Sequence, residues 1–142
     1  MGQAEDEARK KQLIADYSAA RDRLDAAIGK RAPTAVCGGW TVVEIAAQVV
    51  AWEQNSAEAM FALAGGTAKP AVDADKMNAA AAAEARKAPP EQTMAMYREA
   101  RSIFVDSLSE LPAAAFAMPS VCGEIEMERD HALEHATELD AL

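Results

Sequence analysis

The sequence predicts an all-α fold, a four-helix bundle with up-down topology and one short extra helix between its second and third helices. Alanine, the residue with the highest helix propensity, supplies about a quarter of the 142 residues. Aromatic residues make up only 5%, whereas sandwiches and barrels need aromatic and β-branched residues in alternation. Apolar residues recur at helical spacing in four segments joined by short connections, so we expect one domain over residues 1–142.

The first predicted helix covers residues 5–28. Its apolar positions lie on one face of a helix, at Leu13, Tyr17, Leu24 and Ile28. Gly29 is placed to end the helix, and Pro33 follows soon after. Residues 30–39 are therefore predicted to form a loop.

The second predicted helix begins after Thr41 and ends at the glycine pair 65–66. Thr41 with Glu44 three residues later has the pattern of a capping box, in which each side chain bonds the other's backbone N–H. A second connection follows, in which Asp73 or Asp75 is expected to cap the short extra helix.

The third predicted helix opens at Pro90, a residue favoured in the first helical turn, and ends at Pro112. Residues 112–123 are predicted to form a loop. The last helix is predicted over residues 124–139, with acidic Glu124 and Glu126 in the first turn, where the helix dipole favours them.

The negative net charge argues against two classes of partner, nucleic acids and anionic membranes. The net charge is −9, with 14 basic and 23 acidic residues, so we expect no nucleic-acid partner and no anionic membrane partner. No apolar run approaches the roughly 20 residues that span a bilayer, and the first residues lack the apolar core of a secretory signal. A cytoplasmic protein with reduced cysteines is expected.

The two histidines are the clearest candidate for chemistry. His131 and His135 are four residues apart in a predicted helix, so both rings project from one face and can reach one metal ion. Up-down topology makes the second and last helices parallel, and Gln48 then lies at the level of His131. The alternative is a histidine pair on a solvated face, with Gln48 as an ordinary polar residue.

Glu53 lies inside the apolar stripe of the second helix, where a buried carboxylate needs a partner or a raised pKa. One interpretation pairs it with Arg101 on the third helix. The other makes Glu53 a catalytic residue, a general base, or a group that acts through its neighbours.

Cys37 and Cys122 each precede a glycine near the start of a predicted helix. The two helices are predicted to be parallel, so both thiols are expected at the same end of the bundle as the histidine site. They are either reactive thiols near helix N-termini or small apolar loop residues.

Two segments resemble the DinB superfamily. GWTVVEIAAQVVAWE, residues 39–53, is similar to the entry of the second helix in that superfamily, with matches at Trp40, Thr41, Glu44, Trp52 and Glu53. DHALEHATEL, residues 130–139, resembles its closing His-x3-His segment. The resemblance extends over residues 13–139, including the short helix and the proline-rich break before the third helix.

The resemblance implies a four-helix bundle that is often a homodimer. It also implies a divalent metal, zinc or nickel, held by one histidine of the second helix and two of the last. His131 and His135 match the latter two positions, and Gln48 stands at the first. An amide is a poorer zinc ligand than imidazole, so a metal should bind weakly or need a further ligand such as Glu53, Glu128 or a cysteine.

Three functions follow as hypotheses. The resemblance implies a metal-assisted, thiol-dependent transferase or isomerase, or a hydrolase, acting on a small molecule, with a low-molecular-weight thiol as a second cofactor. The alternative is a metal-free protein that binds or protects a small molecule in a pocket lined by Trp40, Trp52 and Tyr17. The third is a structural or interaction protein.

Overall fold

The computed structural model describes residues 2–142 and is almost entirely helical. In chain order its helices are α1 (Gln3–Gly29), α2 (Val42–Ala64), α3 (Ala74–Arg86), α4 (Pro90–Glu110) and α5 (Pro119–Asp140). A 3-10 helix, Ala113–Ala117, precedes α5. The all-α prediction is therefore confirmed. None of the helices in residues 2–142 combines the length and the apolar character needed to cross a bilayer.

Local capping signals fix the starts of two helices as predicted. The Glu44 amide donates to Thr41 Oγ1 at 3.2 Å, and the Thr41 amide donates to Glu44 Oε1 at 2.8 Å, which completes the capping box of α2. At α3 the Lys76 amide donates to the Asp73 side chain at 3.1 Å, so Asp73 rather than Asp75 is the cap.

The segment predicted as a loop before α2 contains a small antiparallel hairpin. Its strands are β1 (Val36–Cys37) and β2 (Trp40–Thr41), paired Val36 to Thr41 and Cys37 to Trp40. Gly38 and Gly39 form the turn with φ values of 61° and 89°, which non-glycine residues rarely adopt. The hairpin holds Thr41 in the extended conformation that a helix cap requires.

The last helix begins five residues earlier than predicted, and the prediction of a loop over residues 112–123 is wrong. Pro119 occupies the first turn of α5, where its missing N–H is harmless. Phe116 in the 3-10 helix and Val121 in α5 are fully buried against the lower core, which includes Tyr17 and Phe104. Burial of these apolar residues outweighs the loop signals of the local sequence.

Side-chain contacts give the relative directions of the helices. α1 runs antiparallel to α4, because Lys10 bonds the Ser109 carbonyl at one end and Arg21 bonds the Tyr97 carbonyl further along. α2 runs antiparallel to α5, because Ser56 bonds Glu128 whereas Gly38, just before α2, lies beside Glu138.

The predicted up-down topology is therefore wrong, and the four long helices run up, down, down and up. The short helix α3 causes the difference. It runs back along α2, since Asn78 bonds Trp52 and Arg86 bonds Glu44 nearer the start of α2. The chain thus returns to the end where α2 began, and α4 descends parallel to α2.

Candidate functional site

His131 and His135 face each other on α5. Their Nε2 atoms are 2.9 Å apart and their ring centroids 4.5 Å apart. The side chains are 21% and 13% exposed, so the pair is not on a solvated face. Burial and the neighbouring His131 lower the pKa of His135 to about 4, which leaves this ring neutral at pH 7.

A cleft of about 590 Å³ between α2, α3 and α5 reaches this pair through His131. Trp52 forms one wall, with its ring edge-on to His131 and the ring centroids 6.3 Å apart. Trp52 Nε1 donates to Asn78 Oδ1 at 2.7 Å, which holds the indole in place. Another groove of about 530 Å³ lies between α2, α3 and α4, and neither histidine lines it.

Of the three aromatic residues predicted to line a ligand pocket, Trp52 alone lines the cleft. Tyr17 is fully buried in the lower core, where it donates to Glu53. Trp40 is in β2, where it pairs with Cys37, and it packs against a buried cluster that includes Leu24, Ile45 and Ala136.

Gln48 is buried on α2, with 2% of its surface exposed. It lies one turn before Trp52, and His135 lies one turn after His131. Because α2 and α5 are antiparallel and Trp52 adjoins His131, this places Gln48 at the level of His135 rather than His131. The Gln48 Nε2 atom has no hydrogen-bond partner among residues 2–142.

Carboxylates approach the outer nitrogen of each histidine. Glu128 Oε1 lies 3.7 Å from His131 Nδ1, and Glu138 Oε1 lies 3.6 Å from His135 Nδ1. Ser56 on α2 donates to Glu128 Oε2 at 2.7 Å. Ser56 and Asn78 are functional-site residues that the sequence did not predict. The signal for Ser56 is its position one turn after Trp52 on the same face of α2.

The donor atoms present fit a weakly held divalent metal. Two nitrogens that each lie about 2 Å from one ion are about 3 Å apart, which matches the separation of the Nε2 atoms. A half-turn of the Gln48 amide would bring its oxygen to the unpartnered position of Nε2. Within the described residues no three His, Cys, Asp or Glu side chains form a metal-binding group. The two histidines are therefore not joined by a third ligand of these four residue types.

Glu53 belongs to a different buried network. Arg21 binds it through Nε at 2.9 Å and through a terminal nitrogen at 3.2 Å, and Tyr17 also donates to it. Burial raises the pKa of the Glu53 carboxyl, which the hydrogen bonds from Arg21 and Tyr17 oppose. Both carboxylate oxygens are thus occupied by donors.

The predicted pairing of Glu53 with Arg101 is wrong. Arg101 instead pairs with Asp22 and Asp25 on α1, at 2.5 Å and 3.2 Å. The two arginines both reach the interface of α1 and α4, but only the α1 arginine, Arg21, points towards α2.

The cysteines lie at opposite ends of the structure, so the prediction of a shared end is wrong. Cys37 is beside the start of α2, and Cys122 is in the first turns of α5, where its thiol bonds the Phe116 carbonyl at 3.3 Å. The antiparallel arrangement of α2 and α5 separates them. Both are buried, and burial together with Glu138 raises the pKa of the Cys37 thiol, so this thiol is not activated.

Comparison with known proteins identifies the family to which the chain belongs. The family model for the mycothiol maleylpyruvate isomerase N-terminal domain matches residues 11–135. No curated protein matches the chain, and no solved structure matches it. The match covers all of α2, most of α5 and both histidines, and it confirms the resemblance found in the sequence. The chain therefore belongs to the mycothiol maleylpyruvate isomerase N-terminal domain family, within the DinB/YfiT-like superfamily.

Proposed function

We propose that this protein is a metal-assisted, thiol-dependent transferase or isomerase, or a hydrolase, that acts on a small molecule. The observation that carries the proposal is the convergence of two imidazole nitrogens at 2.9 Å beside a cleft of about 590 Å³. Family membership supports the same chemistry, because the family's name specifies a thiol and an isomerisation.

His131, His135 and Gln48 would hold the divalent metal, zinc or nickel. A bound metal lowers the pKa of a coordinated thiol or water and polarises a carbonyl group. His135 is neutral at pH 7, so the ring need lose no net proton to bind an ion; its single proton has to stand on Nδ1 when Nε2 is the ligand atom. Two imidazoles and one amide would leave coordination positions for a thiol or water, as catalytic sites require.

The thiol has to come from outside the chain. Cys37 and Cys122 are buried, lie at opposite ends, and do not line the cleft. A low-molecular-weight thiol of the kind named for the family, mycothiol, would enter the cleft between Trp52 and His131. The fixed indole of Trp52 supplies an apolar wall against which a small molecule can pack.

We further propose that the four long helices form a bundle, with α3 packed outside it against α2. Contacts of α1 with α4 and α5, and of α2 with α4 and α5, support this arrangement. The homodimer, the cytoplasmic location and a catalytic role for Glu53 stay predictions. The occupied oxygens of Glu53 favour a role through its neighbours over that of a general base.

A second candidate function is metal-free binding of a small molecule in the same cleft. Gln48 favours it, because a neutral amide stands where the superfamily resemblance implies histidine. In that case the Gln48 amide and the two imidazoles act as hydrogen-bonding groups for the ligand.

Metal content separates the two candidates. We expect the purified protein, dialysed to equilibrium against free zinc or nickel, to hold close to one ion per chain. His131→Ala should lose it, because one imidazole and one amide cannot hold the ion. Asp130→Asn, on the neighbouring exposed position of α5, is the matched control and should retain the ion. Equal metal content in wild type and His131→Ala would refute the metal site and favour the second candidate.

A further inference from the structure

A buried carboxylate lies directly behind His131. Glu128 is 3% exposed, and its Oε2 accepts from Ser56 Oγ at 2.7 Å. Its other oxygen, Oε1, has no hydrogen-bond partner within the part of the chain that the structure describes. An unpaired buried carboxylate oxygen is costly. The polar atom facing it is His131 Nδ1, at 3.7 Å.

The two inner nitrogens restrict the protons that the histidines can carry. His131 Nε2 and His135 Nε2 are 2.9 Å apart, which is hydrogen-bond distance. With both rings neutral, one Nε2 must donate and the other must accept. A ring that accepts at Nε2 carries its own proton on Nδ1, and that proton needs an acceptor of its own.

Glu128 is positioned to supply that acceptor for His131: its Oε1 lies 3.7 Å from Nδ1, slightly beyond hydrogen-bond distance, and a small side-chain rotation would close the gap. If His131 carries its proton on Nδ1, Glu128 Oε1 gains the donor it lacks, and His131 Nε2 accepts from His135 Nε2. The remaining nitrogen, His135 Nδ1, is then left bare. Among residues 2–142 this atom is buried and has no hydrogen-bond partner. This assignment gives the buried Glu128 Oε1 a donor and leaves His135 Nδ1 as a bare acceptor. The reverse assignment would leave Glu128 Oε1 without a donor inside the protein, whereas Glu138, the carboxylate beside His135, is 51% exposed and can be hydrated instead.

We propose that Glu128 is a positioning residue that fixes His131 with its proton on Nδ1 and directs the lone pair of Nε2 at the position shared with His135. The part of this proposal that concerns an ion rests on the proposed function, but the proton assignment concerns the protein without metal. Glu128 is held by Ser56 from the facing helix, so α2 orients the ligand ring of α5.

Glu138 is the natural comparison. It approaches His135 Nδ1 at 3.6 Å, almost the distance of Glu128 from His131, but its side chain is 51% exposed. Water competes for an exposed carboxylate, so its hold on the ring is weaker than that of a buried one. The two carboxylates therefore share their chemistry and differ in burial.

The proton assignment is tested on the metal-free wild type by ¹H–¹⁵N NMR of the imidazole rings. We expect His131 to carry its proton on Nδ1 and His135 on Nε2. In Glu128→Gln, where the charge is lost and the shape is kept, the preference of His131 should weaken; in Glu138→Gln it should persist. A wild-type His131 protonated on Nε2 would overturn the proposal. So would an unchanged His131 spectrum in Glu128→Gln.

Metal affinity is the second test, measured by competition of zinc with a chelating dye. Outer-shell changes typically weaken binding by 10–100-fold, so we expect about a tenfold loss in Glu128→Gln and about twofold or less in Glu138→Gln. Circular dichroism checks that both variants are folded. Equal affinities in the two variants would overturn the positioning role. If wild type holds no metal, the proposed function fails, and the NMR result alone decides the role of Glu128.

Discussion

Replacing Glu53 with alanine is expected to lower the free energy of unfolding by about 3–5 kcal/mol, the usual cost of breaking a buried ion pair. Glu53 and Arg21 are 3% and 0% exposed and are joined by two hydrogen bonds. Without Glu53, the Arg21 guanidinium keeps its charge but loses its main anionic partner in the interior. Since small domains are stable by only about 5–15 kcal/mol, the loss should be visible directly in urea unfolding.

Glu84→Ala is the matched control for this prediction. It breaks a salt bridge with Lys87 in which both side chains are more than 70% exposed, and such pairs contribute about 1 kcal/mol or less. A second check replaces both Arg21 and Glu53 with methionine, which should be less destabilising than Glu53→Met alone, because no charge is left unpaired. A loss below about 1 kcal/mol for Glu53→Ala would contradict a structural role for this pair.

Gln48→His is expected to increase zinc affinity on the order of 100-fold, which corresponds to about 3 kcal/mol. Gln48 is buried on the antiparallel helix α2 at the level of His135, so we expect a third imidazole at this position to complete a three-histidine site. Imidazole is a much better ligand for zinc than a neutral amide. Competition with a chelating dye measures the change against wild type.

Gln54→His is the matched control. It adds a histidine to the same helix, but Gln54 lines the groove between α2 and α4, away from His131 and His135. Its zinc affinity should equal that of wild type. If Gln48→His binds zinc no more tightly than Gln54→His, position 48 does not face the ion, and the proposed ligand set is wrong.

The sequence correctly predicts the features that depend on only a few neighbouring residues, such as helix caps and helix starts. The capping box of Thr41 and Glu44, the cap of α3 and the helix start at Pro90 depend on neighbours along the chain, and all three are present. The sequence does not predict the directions in which the later helices run. It depends on α3 packing back along α2, which is decided by tertiary contacts such as that between Trp52 and Asn78.

In the candidate site, too, features set by local spacing are predictable from the sequence, and features set by tertiary contacts are not. The facing of His131 and His135 follows from their spacing within one helix. The sequence does not predict that Glu53 pairs with Arg21 and not with Arg101, because both arginines lie on apolar stripes of helices beside α2. Parallel second and last helices would place Gln48 at the level of His131. Because α2 and α5 are antiparallel, Gln48 instead lies one turn away, at the level of His135.

X-ray absorption at the zinc edge of the wild-type protein, loaded with one equivalent of zinc, tests the central claim most directly. We expect scattering from two imidazole rings, with oxygen or nitrogen as the remaining neighbours at about 2 Å. A spectrum without imidazole scattering, or one dominated by sulfur at about 2.3 Å, would place the ion away from His131 and His135 and contradict the proposed metal centre.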